Sequence, residues 1–228
     1  MTVHTGNEGP LERLLNEGGR PVVLLRHGQT AWNQERRFLG RTDVPLDAQG
    51  LREAQAVARH LARLPLAAVF SSPLSRAEET ARAVAAPHAL PVLAVPDLIE
   101  LHQGELEGQP GSALVQQHPA LLARWLVDPG PVRLPGGETL LECQQRGLAA
   151  IEAIAQGAQP GRLTVIVSHQ MVIASALCAM QALPLRRFRE MSHDNAAFSV
   201  LDQDRAGWRL HLLAWKGHLG ELPPGGAA

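Results

Sequence analysis

The feature that most constrains this chain is a repeated one: short apolar runs without polar alternation, each leading into helical periodicity. Val22 to Leu25 is such a run and ends in the charge of Arg26; Ala67 to Ser71, Pro91 to Val95 and Leu163 to Val167 are the others. A strand that is apolar at successive positions has both faces buried, the mark of a parallel sheet covered by helices on two sides. Helical spacing fills the intervals. After Asp47, which can cap a helix, Leu51, Ala54, Ala58 and Leu61 share one face. Ser72-Pro73 reads as a cap with proline in the first turn, opening a helix through about Val84. Residues 111–127 read as helical with a break near Pro119, and Leu140, Leu141, Leu148, Ile151 and Ile154 mark a further helix. Residues 170–182 follow the fourth strand as a helix, and Ala196–Leu201 with Trp208–Leu213 read as a terminal hairpin.

The expected fold is therefore α/β: three layers, α/β/α, with a mostly parallel sheet, helices on both faces and a short helical insert over the site. Residues 20–216 are expected to form a single domain with 109–132 as its lid-like insert. Residues 1–19 are expected to be a loose extension and 217–228 a flexible tail.

Composition narrows the function. The chain has 228 residues, 45% hydrophobic, enough to bury a sizeable core. Its 21 Lys and Arg against 22 Asp and Glu give a net charge of -1, so no global basic field draws in nucleic acid or an anionic membrane. The most apolar stretch, Leu163 to Met180, is interrupted by Ser168-His169-Gln170 and reads as strand, turn and helix rather than a membrane span. Residues 1–20 carry no apolar signal core, so the expected location is cytoplasmic. Cys143 and Cys178 sit in apolar helix-like stretches and read as buried thiols. There is no His-Glu-x-x-His and no Cys-x-x-Cys, so metal chemistry is not expected.

In parallel α/β folds, ligands bind beyond the carboxyl ends of the strands. Four strand exits here deliver Arg26-His27-Gly28, then Ser71-Ser72 with Arg76 one turn on, then Asp97 and Glu100, then Ser168-His169. Two histidines, two arginines and one or two carboxylates thus gather at one sheet edge. The set suits phosphoryl transfer. A transferring phosphoryl group spreads charge over three oxygens and needs fixed cations around it. Arginine meets these oxygens in a bidentate fork. A neutral imidazole can attack phosphorus, and a carboxylic acid can protonate the leaving oxygen.

The motifs sharpen this. Leu25-Arg26-His27-Gly28-Gln29-Thr30-Ala31-Trp32-Asn33 resembles the signature of the histidine phosphatase superfamily, which includes cofactor-dependent phosphoglycerate mutases. Gly40-Arg41-Thr42-Asp43-Val44-Pro45-Leu46, Ser71-Ser72-Pro73-Leu74-Ser75-Arg76-Ala77, Leu98-Ile99-Glu100, Gly104-Glu105-Leu106-Glu107-Gly108, Gly137-Glu138-Thr139 and Ser168-His169 continue it in the family's order. The resemblance implies a phosphatase-branch enzyme acting on small phosphorylated metabolites without cofactor or metal. It implies His27 as the nucleophile that becomes phosphohistidine. Arg26 and Arg76 clamp the phosphoryl oxygens with help from Asn33, and His169 is a second donor to them. Glu100 is proton donor and later base, favoured by motif register over Glu105 and Glu107.

The sequence departs from the family where Gln170-Met171 replace the glycines that usually follow the second histidine. Gln170 thereby becomes a candidate phosphate or substrate contact. Leu106 stands where the family often has Trp, and Leu39 where it often has a polar residue. His60 and His102 read as ordinary polar residues, and Trp32 as packing. A mutase is the alternative, disfavoured because only Arg124 and Arg133 supply positive charge between Glu100 and Glu138. A noncatalytic phospho-ligand module would be expected to lack His27, an arginine or the acid. Oligomeric state, a homodimer included, is left open.

Overall fold

The computed structural model describes residues 10–204 and 206–220. In chain order its helices are α1 (Pro10–Asn16), α2 (Ala31–Gln34), α3 (Ala48–Leu61), α4 (Ser75–Ala85), α5 (Gly111–Gln117), α6 (Pro119–Val127), α7 (Leu140–Gln156) and α8 (Gln170–Met180). The strands are β1 (Val22–Arg26), β2 (Leu66–Ser71), β3 (Val92–Ala94), β4 (Leu163–Ser168), β5 (Phe198–Asp204) and β6 (Gly207–Trp215). They form one sheet in the order β3-β2-β4-β1-β5-β6. The β1–β4, β2–β4 and β2–β3 pairs are parallel, and the β5–β6 hairpin adds antiparallel strands beside β1.

The unbroken apolar runs are explained by the two cores. Alternate residues of β1 point to opposite faces. Val22 and Leu24 enter a cluster with Ile151 of α7 and Val172, Ile173 and Leu177 of α8. Val23 and Leu25 enter the other, with Val57 and Leu61 of α3 and Ala77, Ala81 and Val84 of α4. Every residue of β4 is buried. The three-layer α/β/α architecture follows directly.

Local signals set the helix starts. Asp47 Oδ1 accepts from Gly50 N at 2.8 Å to cap α3. Thr139 and Glu142 close a capping box at the start of α7. Pro119 opens α6 and separates it from α5, the break expected within residues 111–127.

Several readings need correction. Residues 10–16 of the segment expected to be loose form α1, whose Leu11, Leu14 and Leu15 are buried against the α3–α4 face. Residues 1–9 lie outside the described part. The helix expected to start at Ser72-Pro73 begins at Ser75, with Leu74 at the cap. Ser72 is instead occupied at the sheet edge, where its hydroxyl lies 2.7 Å from His169 Nε2. The hairpin strands run longer than expected, to Asp204 and Trp215. At the expected tail, Gly217–Leu219 form a 3-10 turn, and His218 stacks on Phe198 at 5.5 Å; residues 221–228 lie outside the described part. His60 packs on Trp215 at 4.7 Å. Among the described residues no helix is long and apolar enough to cross a membrane.

Candidate active site

The strand register brings the candidate residues together. Arg26 pairs with Ser168 across β1–β4, and Ser71 with Val167 across β2–β4, so His27, His169 and Ser72 leave three neighbouring strands side by side. His27 N donates to Ser168 O at 3.1 Å, and Ser72 N to Val167 O at 3.0 Å. The His27 and His169 rings lie 5.1 Å apart, centre to centre. Both side chains are buried, as are Arg76 and Glu100.

His27 Nδ1 is 2.7 Å from the carbonyl oxygen of Gly28, to which its N–H donates. That bond selects the tautomer whose Nε2 keeps its lone pair. Burial, then the charges of Arg76 and Arg26, hold the His27 pKa well below its ordinary 6.5, so the ring stays neutral. His169 is lowered in the same way by burial, Arg76 and His27.

The backbone under His27 is tightly held. Gly28 N donates to Thr80 Oγ1 at 3.1 Å, and Gln29 N to Glu53 Oε2 at 2.8 Å. A Cβ on Gly28 would stand 2.5 Å from Gly50 O, so the loop approaches α3 at a distance only glycine allows. Asn195 Nδ2 reaches the carbonyls of His27 and Gly28 and, at 3.1 Å, Asn33 Oδ1. Asn33 Oδ1 also accepts from Thr30 N, closing the α2 capping box.

Both arginines are oriented by carbonyls. Arg76 donates to Thr42 O at 3.0 Å and Gly40 O at 2.7 Å; burial brings its pKa down to about 10, which leaves it charged. Arg26 Nη1 donates to His193 O at 2.6 Å. Among the described residues, Arg26 Nε, Arg76 Nε and His169 Nδ1 are buried without a hydrogen-bond partner. Buried polar atoms in folded proteins are ordinarily paired, so two unpartnered guanidinium N–H groups whose charges act on the His27 ring, with the unpartnered nitrogen of the neighbouring His169 ring, form a cradle suited to an oxyanion.

Glu100 accepts from Leu101 N at 2.8 Å and Met171 N at 3.3 Å. Burial raises its pKa above 4.5, against these N–H groups and the charges of Arg76 and Arg26. Glu107 takes a different part. Its carboxylate accepts from Arg41 N, Thr42 N and Oγ1, and Gln103 N, bracing the 40–42 loop that holds Arg76. Burial alone would raise its pKa, but these bonds together lower it. Glu105 is exposed. Gln170 Oε1 accepts from His193 N at 2.9 Å, so its amide oxygen ties the 193–195 loop rather than meeting the cradle.

Sequence reasoning missed Ser72 as the partner of His169, Asn195 beneath His27, and the network behind Glu100. In that network Arg146 donates to Asp97 O at 2.7 Å, Ile99 O at 2.5 Å, Glu100 O at 3.0 Å and Glu138 Oε1 at 2.6 Å. Glu138 lies within Gly137-Glu138-Thr139, a sequence signal for its place in the site; nothing local marks Arg146 or Asn195.

Residues 22–216 match the family model described as histidine phosphatase superfamily, branch 1. The chain is 29% identical over 201 residues to phosphoserine phosphatase 1 of Hydrogenobacter thermophilus, covering 88% of this chain and 95% of that protein. It is 30% identical over 187 residues to the protein named Probable phosphoglycerate mutase GpmB of Yersinia pestis, covering 82% of this chain and 86% of that one. Among solved structures, Bacillus stearothermophilus YhfR superposes with a TM-score of 0.81 at 28% identity, covering 87% of this chain and 98% of that one. The mycobacterial glucosyl-3-phosphoglycerate phosphatase in complex with VO3 superposes with a TM-score of 0.78 at 28% identity, covering 86% and 100%.

Proposed function

The chain belongs to the histidine phosphatase superfamily, branch 1, and on that premise we propose that it is a metal-independent phosphatase of small phosphomonoesters, acting through a phosphohistidine on His27. The observation that carries this reading is the cradle of unpartnered buried nitrogens on Arg26, Arg76 and His169 around a neutral His27. The phosphatase names of relatives at comparable length support the hydrolytic branch.

In this reading His27 Nε2 attacks phosphorus. The P–O bond breaks as Glu100 gives its proton to the leaving oxygen, and the alcohol departs. Water then attacks phosphorus, the P–N bond breaks as the new P–O bond forms, and the water's proton passes to Glu100, releasing phosphate and neutral His27. Arg26 and Arg76 balance the charge that builds on the three equatorial oxygens. Arg76 and Arg26 lie close enough to Glu100 for their charges to act on it, while burial favours its protonated form at the start of the cycle.

One relative carries a mutase name, so the competing outcome is return of the phosphoryl group to a second acceptor. The cations a phosphoglycerate carboxylate would need are poorly disposed for it. Arg124 is exposed, and Arg133 is bound to Glu142 and Gly137 O. The test is phosphate release from p-nitrophenyl phosphate and a panel of monoesters in EDTA, with phosphoglycerate interconversion alongside. Release that survives EDTA, is absent in His27→Ala and accompanies a trapped phosphohistidine is expected. Interconversion with little release would make the chain a mutase.

A further inference from the structure

Ser72 lies just beyond β2, fully buried, with its backbone pinned on both sides. Its N–H donates to Val167 O at 3.0 Å, and its carbonyl accepts from Ser71 Oγ at 2.8 Å. The Ser72 hydroxyl oxygen lies 2.7 Å from His169 Nε2 and accepts from Leu74 N at 3.4 Å. His169 follows the neighbouring strand β4 as the cap of α8 and is equally buried. Its other ring nitrogen, Nδ1, has no partner among the described residues.

These contacts decide where the hydrogens sit. Burial, then the charge of Arg76, keeps the His169 ring neutral, so only one of its nitrogens carries a hydrogen. With that hydrogen on Nε2, the ring would donate to Ser72 Oγ. The serine O–H would then be buried without an acceptor among the described residues, and Nδ1 would offer a lone pair, which repels an anion. With the hydrogen on Nδ1, the serine O–H donates to Nε2 while its oxygen keeps the N–H of Leu74. The one group then left over is the Nδ1–H, on a ring 5.1 Å from that of His27. Buried polar groups settle in the arrangement that leaves fewest unpaired.

We propose that Ser72 is a positioning residue: its hydroxyl fixes His169 in the Nδ1–H tautomer, so that a neutral histidine donates a hydrogen bond to a phosphoryl oxygen. The proposal rests on the phosphatase reading for the reaction that the bound anion undergoes. In it His169 keeps its hydrogen throughout the cycle and acts as a fixed dipole, which leaves the proton transfers to Glu100. Ser72 touches neither the phosphoryl group nor the leaving oxygen, and acts through the ring alone.

The test is long-range proton–nitrogen correlation NMR of the full chain carrying nitrogen-labelled histidine, the His169 signals being assigned by their loss in His169→Gln. At neutral pH the wild-type ring is expected to show a protonated Nδ1 and a bare Nε2, and inorganic phosphate should shift the Nδ1 resonance. In Ser72→Ala the tautomer preference should be lost and inhibition by phosphate should weaken about tenfold. Its kcat/KM for p-nitrophenyl phosphate should fall about tenfold to a hundredfold. A merely structural role would lower Tm without moving the tautomer. A wild-type ring protonated at Nε2 or at both nitrogens, or an Nδ1 resonance that saturating phosphate leaves in place, would overturn the proposal. So would Ser72→Ala with the wild-type tautomer or wild-type phosphate inhibition. If the alanine variant does not fold, the wild-type spectra decide. No release from any ester, with Nδ1 protonated and shifted by phosphate, would overturn the phosphatase reading and leave Ser72 as the residue that turns His169 toward the anion.

Discussion

The side-chain amide oxygen of Gln170 accepts a hydrogen bond from the backbone N–H of His193 at 2.9 Å. The carbonyl of that same His193 receives Arg26 Nη1 at 2.6 Å. Gln170, at the first turn of α8, therefore sets the loop that orients one of the two arginines of the cradle.

Gln170→Ala is expected to lose about 1 kcal/mol of stability, lower Tm by about 2–4 °C, and weaken inhibition by inorganic phosphate as Arg26 loosens. Gln170→Glu keeps the acceptor for His193 N–H and should recover the melting temperature. It should not recover phosphate binding, because it adds a negative charge beside the anion. Thermal melts with phosphate inhibition check both, and wild-type phosphate inhibition in the alanine variant would separate Gln170 from Arg26.

The pH profile of an alkyl phosphate should be bell-shaped, with an acidic optimum. In the proposed mechanism His27 must be neutral to attack and Glu100 protonated to donate; the His27 pKa lies well below 6.5, so its limb of the profile falls only at low pH. The Glu100 pKa lies above 4.5, so activity falls as pH rises through that raised value. In Glu100→Gln the alkaline limb should vanish for alkyl esters along with most of the rate. p-Nitrophenyl phosphate, whose leaving group needs little protonation, should lose far less. Equal losses on both substrates would assign the proton to another group.

What was legible in the sequence is what local chemistry determines. The runs at β1 and β4, the Asp47 cap and the Pro119 break depend on neighbours within a turn or two. The gathering of His27, His169, Arg26 and Arg76 followed because parallel strands must end at one edge. Helix α1 was missed because three leucines among polar residues make too short a pattern to stand out. Ser72 was read as a cap because Ser-Pro is a strong local signal; the pull of His169, 97 positions away in sequence, overrides it. Asn195 and Arg146 act through backbone carbonyls brought near only by the fold, and no local pattern announces such partners.

Acid should destabilise the fold well before its carboxylates titrate. His27 and His169 have pKa values well below 6.5, and His193 and His218 are brought to about 4, burial leading in every case. Groups with lowered folded pKa contribute stability above their unfolded value, and it is lost as pH falls through the folded one. Below 6.5 the unfolded chain binds protons that the folded chain refuses, so stability falls from pH 6.5 toward 4, each proton contributing about 1.4 kcal/mol per pH unit. The raised pKa values of Glu100 and Glu53 act in the opposite sense, favouring the fold below about 4.5 and losing that contribution as pH rises. Calorimetry in buffers of different ionisation enthalpy should register uptake of more than one proton on unfolding at pH 5. Uptake near zero would mean that the buried histidines are charged in the folded state.

Arg146 should matter to both stability and the fate of the leaving group. Its guanidinium ties the carbonyls of Asp97, Ile99 and Glu100 to Glu138 of the preceding loop, and only a planar fork can meet so many acceptors at once. Arg146→Ala leaves a largely buried Glu138 with Arg41 at 3.3 Å and the His102 N–H at 2.8 Å, and takes the guanidinium away from the Asp97 and Ile99 carbonyls. The expected loss is about 2–3 kcal/mol, below that of a fully buried pair because both side chains keep some exposure. Arg146→Lys keeps the charge and should regain part of the stability. It cannot hold three carbonyls, so Glu100 is left misaligned. Its rate on benzyl phosphate should fall several-fold relative to p-nitrophenyl phosphate, in the direction of Glu100→Gln. A lysine variant with the wild-type ratio of the two rates would show that Arg146 supports the fold without positioning Glu100.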